Sequence, residues 1–244
     1  HSRHLSGYAL EAFSTLMTLA TSEGFNTNNY THLFMNVEGI ITAYPDQFSD
    51  ELVQSFFQGS YQCAVSCMDD TQTKYIANTI ELACSCFPGL YNIMMDSLRG
   101  IDESTDCRNI YVSVLFFTFS IEENLISVMQ DLGEIIELIG ALLGVEDNDV
   151  RLMTLSLAKE LCDKFTPEQS EFAGSIIVKL NEMFESPEVE IVIAALQAMS
   201  SAFHSGRAPT FCIAPTLEAI VGIIQSVEDE NPTQLLNEAT HTAA

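Results

Sequence analysis

Apolar residues recur at spacings of three and four along most of the chain, and short polar clusters rich in Gly, Pro, Ser, Asp and Asn interrupt them. That pattern predicts helices joined by turns. The clearest stretch runs from Gly144 to Gly206. Within it, Asp149 to Cys162 carries the stripe Val150, Met153, Leu157 and Leu161. Glu188 to Ser201 carries Val189, Val192 and Leu196, then Met199 or Phe203. Matching Val150 to Val189 sets a step of 39 residues, with a third helix, Pro167 to Phe184, between the two. The start signals are strong. Thr166-Pro167-Glu168-Gln169 is a capping box with proline at the first helical position. Ser186-Pro187-Glu188 repeats the cap and the proline, and Asp147 or Asn148 caps the earlier helix. Gly144 and Gly206 are expected to end helices in the left-handed conformation.

The same reading extends to the rest of the chain. His4 to Ser22 is a predicted helix with the stripe Leu5, Tyr8, Ala9, Ala12, Leu16 and Leu19, ended by Gly24. Tyr30 to Tyr44 follows, then a helix capped by Ser49 from Asp50 to Met68. Asp69-Asp70-Thr71-Gln72 resembles a second capping box and opens a helix to about Cys86. Leu90 to Leu98 is a short helix, and Thr105 or Asp106 opens the next. Tyr111 to Phe117 is rich in residues that also favour strands, but its helical neighbours argue for a helix. Glu122 is expected to start a helix that breaks near Gly133 and reaches Leu143. Pro209 to Ser226 is the last, with Pro215 expected to kink or split it. Glu228 to Pro232 forms a further turn, and Thr233 to Ala244 a truncated repeat or frayed tail.

Asp106 to Ile110 can be laid on Asp149 to Met153 at a step of 43, a further copy of the same unit. A single helix pair cannot bury both apolar faces, so copies at a period near 40 must stack. Asp147-Asn148-Asp149-Val150-Arg151, following the apolar helix Leu132 to Leu143, resembles the turn and second-helix start of a HEAT repeat. Asp147, Val150 and Arg151 fit that family's pattern of a turn Asp and a Val-Arg pair, whereas the next copy has Glu190 in place of the Arg. The resemblance implies an all-α fold, a right-handed α-solenoid of stacked antiparallel helix pairs like those of HEAT and armadillo proteins. No internal linker is long or polar enough to divide the chain. Residues 1–244 are therefore expected to form one array, with repeats clearest over 129–164, 167–204 and 209–244.

Charge narrows the function. Nine Lys and Arg stand against 34 Asp and Glu, a formal net charge of −25. This argues strongly against a nucleic-acid backbone or an anionic membrane as the direct partner and favours a basic protein, or simply a soluble scaffold that repels its copies. Apolar runs such as Ile110 to Ile121 are about half a membrane span, and no secretory signal is visible. The chain opens at His1 rather than Met, which points to an excised or processed segment of a larger protein. Asn29-Tyr30-Thr31 is a lone glycosylation sequon of the kind that arises by chance. Seven cysteines, an odd number set mostly in apolar runs, indicate reduced core thiols and an intracellular protein, cytoplasmic or nuclear. A zinc site from Cys63, Cys67, Cys84 and Cys86 is disfavoured, because Cys84 and Cys86 point to different faces of one helix.

Catalytic and cofactor motifs are missing. The five histidines form no i, i+4 ligand pair, and His204 at a helix end suits the dipole. No phosphate-binding GxxxxGK[ST] loop, GxSxG elbow or calcium-binding EF-hand loop occurs; Glu122/Glu123 and Glu228/Asp229/Glu230 fit solvated turns. The expectation is a non-enzymatic scaffold with no metal and no cofactor. The HEAT resemblance implies that second helices line a concave face. The partner-binding acidic residues would then be Asp147, Asp149, Glu160, Asp163, Glu188 and Glu190, pairing with Lys or Arg of a basic protein. Acidity with HEAT-like repeats is similar to transport receptors of the importin-beta kind. The alternative is a structural segment of a larger HEAT scaffold in a chromosome, coat or cytoskeletal complex.

Overall fold

The structure is a computed structural model that describes residues 2–204, 208–226 and 242. All regular structure among them is helical. The α-helices are α1 (Ser2–Ala20), α2 (Tyr30–Ala43), α3 (Asp50–Ser66), α4 (Asp70–Cys86), α5 (Leu90–Arg99), α6 (Cys107–Ser120), α7 (Leu125–Gln130), α8 (Leu132–Leu143), α9 (Asn148–Lys164), α10 (Ser170–Glu182), α11 (Val189–His204) and α12 (Thr210–Ser226). By its contacts the chain divides into two compact units, His1–Ser127 and Val128–Ala244.

Caps set many of the helix starts. Ser49, Asp69, Asp106 and Asp147 each accept a first-turn amide, from Leu52, Gln72, Arg108 and Val150 at 3.3, 3.0, 2.9 and 3.0 Å. The Thr166 amide donates to Gln169 Oε1 at 2.8 Å, the reciprocal half of the expected capping box. At Asp69 that half is not made: Gln72 Oε1 instead accepts the Thr31 amide and hydroxyl, both at 2.8 Å, and so ties α4 to α2.

In the first unit, α1 packs with α2, α3 with α4 and α5 with α6. Across the pairs, α2 meets α4 and α4 meets α6, while α1 meets α3 and α3 meets α5. Helix α6 is buried nearly all round from Ile110 to Thr118. A helix with no solvated face tolerates the strand-favouring residues there, because packing overrides propensity. Helix α1 presents a different face from the one expected. Tyr8 is 70% and Leu19 49% exposed, whereas Phe13, Met17 and Ala20 are buried. The larger Phe13 decides the rotation by packing edge-on against Phe48, ring centroids 4.8 Å apart. Gly59 permits the approach, since a Cβ there would lie 2.8 Å from Met17 Cε.

In the second unit, α8 packs with α9 and α10 with α11; α9 lies on α11, and α10 touches both α8 and α12. The expected 39-residue match fails. Val150 is fully buried but Val189 is 54% exposed. The buried positions superpose 41 residues apart instead: Val150, Thr154, Leu155, Leu157, Ala158 and Leu161 correspond to Ile191, Ala195, Leu196, Ala198, Met199 and Ala202. The Arg151 amide donates to Asp147 O at 3.0 Å, and the Val192 amide, 41 residues on, to Glu188 O at 3.3 Å. The capping residues Asp106 and Asp147 stand at the same step, which replaces the 43-residue match.

Two further expectations change. Gly144 is right-handed, φ −76°; the end of α8 is satisfied by the Gly144 amide on Ala141 O and by Arg151 Nε on Leu143 O at 3.3 Å. Gly24, at φ 82°, does end its segment in the left-handed region. The expected break near Gly133 falls at Asp131, between α7 and α8, whereas Pro215 sits inside one helix rather than splitting it. Gly206, the turn Glu228 to Pro232 and the tail except Thr242 lie outside the described residues.

The 41-residue register is testable. Ile191→Ala should lower stability by about 2–5 kcal/mol, while Val189→Ala should stay within about 0.5 kcal/mol. Urea unfolding followed by circular dichroism distinguishes the two; the 39-residue match requires the reverse order.

Candidate functional site

The six acidic residues singled out from the sequence all lie in the second unit, but not at one point. Asp147 is half-buried at the cap of α9, so its carboxylate is already engaged with the Val150 amide. Asp149 is exposed in the first turn, where a negative charge suits the positive end of the helix dipole. Glu160 is half-buried and Asp163 exposed near the other end of α9, and Asp163 lies 3.7 Å from Lys159 Nζ. The two pairs are separated by on the order of 20 Å along the helix. Glu188 and Glu190 are exposed at the start of α11, at positions equivalent to Asp147 and Asp149 in the 41-residue register.

Residues that the sequence did not flag carry the interior polar chemistry. Arg108 of α6 donates to Ala64 O at 2.9 Å, to Cys67 O and to Thr73 Oγ1 at 3.0 Å, and lies 5.0 Å over the Tyr111 ring. Its guanidinium thus satisfies carbonyls at the end of α3, where the helix dipole is negative. Glu38 of α2 accepts from the Thr79 hydroxyl at 2.7 Å and from Tyr75 OH at 3.3 Å, both on α4. Tyr61 OH donates to Asn109 O at 2.8 Å and lies 3.1 Å from Ser113 Oγ, which meets Ser97 Oγ at 2.9 Å. A single Arg in the apolar run of α6 was the available signal for the first network. The others depend on packing between segments far apart in sequence.

The thiols follow their burial. Cys63, Cys67, Cys84, Cys162 and Cys212 are buried. Burial pushes the Cys63 thiol up to about 11 and the Cys84 thiol up to about 12. A thiol held protonated is a poor metal ligand. Among the described residues no group of three or more His, Cys, Asp or Glu is arranged to hold a metal ion. His1 and His241 lie outside the described residues, and His32 is exposed on α2. A recess of about 410 Å3 between α1 and α3 is lined by Phe13, Met17, Phe56, Gln58, Gln62 and neighbours, none of them titratable.

The Glu81 carboxyl of α4 is held above its ordinary range, first by burial and then by repulsion from Glu123 and Glu122. A raised pKa means that the folded chain binds this proton more tightly than the unfolded chain. The penalty is therefore absent below the ordinary glutamate range and develops as pH rises through it. Glu81→Gln should raise the melting temperature at pH 7, and the gain should vanish as pH falls to about 4. Thermal scans across that range check it; a gain independent of pH would contradict it.

No family model and no curated protein matches the chain. Among solved structures, the crystal structure of an engineered protein, a target of the Northeast Structural Genomics Consortium, is similar over 95% of this chain and 94% of that one. Its TM-score is 0.54 at 15% identity, a likeness of fold alone. No helix among the described residues is long and apolar enough to cross a membrane. The class that these findings support is all-α.

Proposed function

We propose that the chain is a non-enzymatic interaction scaffold, a HEAT-like α-solenoid of stacked antiparallel helix pairs that binds a basic protein or peptide. The observation that carries the reading is charge placed in register. A net charge of −25 is distributed over helices whose second members repeat at 41 residues, with Asp149 and Glu190 exposed at equivalent first-turn positions. A partner that presents Lys or Arg at a matching spacing gains steering and pairing at each repeat. Repetition of weak contacts is how an extended surface reaches useful affinity without a deep pocket. A transport-receptor role of the importin-beta kind, inside the cell, fits the same charge.

A second reading, a structural segment of a larger HEAT scaffold, is favoured by apolar side chains left exposed on α1 (Tyr8, Leu19) and α12 (Phe211, Val221).

The test is fluorescence anisotropy with a labelled Lys/Arg-rich peptide and the full chain. Neutralising Asp149, Glu160 and Glu190 together (to Asn, Gln and Gln) should weaken binding about tenfold or more at about 0.1 M salt. Unchanged affinity, or no binding by the wild type, would remove the acidic-receptor reading and leave the structural one.

A further inference from the structure

The turn that joins α1 to α2 meets the end of α3 at a cavity of about 310 Å3, the lower end of the size that holds a small ligand. Gly24, at φ 82°, lets the chain turn there. Phe25 and Tyr30 line it as a stacked pair, ring centroids 5.4 Å apart. Hydrogen bonding makes the lining a set of acceptors. Four of its hydroxyls donate their protons to backbone carbonyls: Thr21 to Met17 O at 3.0 Å, Ser22 to Leu19 O at 2.6 Å, Tyr30 to Ala20 O at 3.3 Å and Ser66 to Cys63 O at 3.1 Å. A carbonyl can only accept, so each of these hydroxyls is left with lone pairs. The backbone amides of Thr21, Ser22 and Phe25 are likewise spent on carbonyls. No Lys, Arg or His occurs among the described lining residues, and the side-chain N–H there is that of Gln62.

Charge points the same way. Glu23 lines the cavity and is exposed. Burial raises the Tyr30 phenol to about 12 and the Cys63 thiol to about 11, so both stay neutral and Glu23 carries the charge of the lining. Helices α1 and α3 both end at the cavity, with no basic residue in either last turn, and bring the negative ends of their dipoles. Arg108 takes Ala64 O and Cys67 O at the end of α3 and offsets that dipole, which leaves the end of α1 and Glu23 to set the sign. The start of α2 is the opposing element, but its amides are taken: that of Asn28 by Asn26 Oδ1 at 3.1 Å and that of Thr31 by Gln72 Oε1.

We propose that this cavity is a binding site for an alkylammonium group. The three N–H donors of an ammonium meet hydroxyl lone pairs from α1, α2 and α3, and Glu23 pairs with its charge. The rings of Phe25 and Tyr30 pack against its methylene stem. A divalent cation is not matched, because it takes six or more hard oxygens, charged ones among them, and Glu23 is the one carboxylate in the described lining. A free aliphatic amine and a lysine side chain of a partner protein share this chemistry. The site lies on α1 to α3 in the first unit and does not depend on the acidic residues of α9 and α11.

The test is titration of the isotope-labelled full chain with diaminobutane near neutral pH and about 0.15 M NaCl, followed by amide NMR shifts. Saturable shifts should peak at Ser22 to Phe25 and Gln62 to Ser66, and neutral butanediol should give none. Glu23→Gln should raise the dissociation constant about three- to fivefold. Ser66→Leu, which removes an acceptor and fills the cavity, should raise it about tenfold or more. Both positions are exposed, so neither change threatens the fold. Glu51→Gln, in the first turn of α3 and so at its other end, removes the same charge and should leave the constant unchanged. An end-blocked peptide with one Lys separates the sources. Shifts at the same amides would assign the site to lysine side chains, and shifts with diaminobutane alone would assign it to a free amine. Unsaturable shifts spread over many carboxylates, equal binding of butanediol, or equal loss with Glu51→Gln would each overturn the proposal, and would leave the basic-partner reading untouched.

Discussion

Helices α9 and α11 share one buried pattern at a 41-residue offset, and the second unit is arranged to keep those two faces out of water. Leu155, Leu157 and Leu161 on one helix and Leu196, Ala198 and Met199 on the other are almost wholly buried. Fully burying a side chain of that size contributes about 1.5–3 kcal/mol. No turn or cap in the unit reaches that sum, so the caps follow the packing. Asp147 caps α9 with its side chain, whereas Glu188 stands at the same place in α11 and contributes its backbone carbonyl. A longer carboxylate there frees the side chain for solvent.

The same geometry separates structural acid from available acid. Asp147 spends its carboxylate on the first turn of its own helix, α9, and Glu38 spends both oxygens on α4. Asp149, Glu188 and Glu190 do not face into the core and stand exposed along the helix starts. A chain with so few cations leaves most of its carboxylates without an opposite charge, so its own surface resists close approach of copies of itself and favours basic surfaces. Where apolar surface stays open, on α12, charge is scarce, and the two kinds of surface are separated along the chain.

Much of the helical order was legible in the sequence because helix starts are local. Ser49, Asp69, Asp106, Asp147 and Thr166 act over three or four residues, and each sits where its signal placed it. What failed depended on other segments. The face of α1 is chosen by Phe48 on the far side of α2, so its spacing alone favoured the wrong stripe. Val189 and Ile191 are both apolar and two residues apart, and only the partner helix decides which is buried. Gln72 has a valid local partner but takes a distant one, Thr31. The acidic residues were visible as charges, while the split of α9 into two acidic ends followed from its length. Arg108 was visible as a lone cation in an apolar run, but its targets on α3 and α4 were not.

The central claim is that acidity selects the partner. Its most direct measurement is capture by the immobilised full chain from cell extract at about 0.05 and 0.5 M NaCl, with the bound proteins identified. The account predicts basic proteins that bind at low salt and leave at high salt. Partners with no excess of Lys and Arg, retained at high salt, would contradict it.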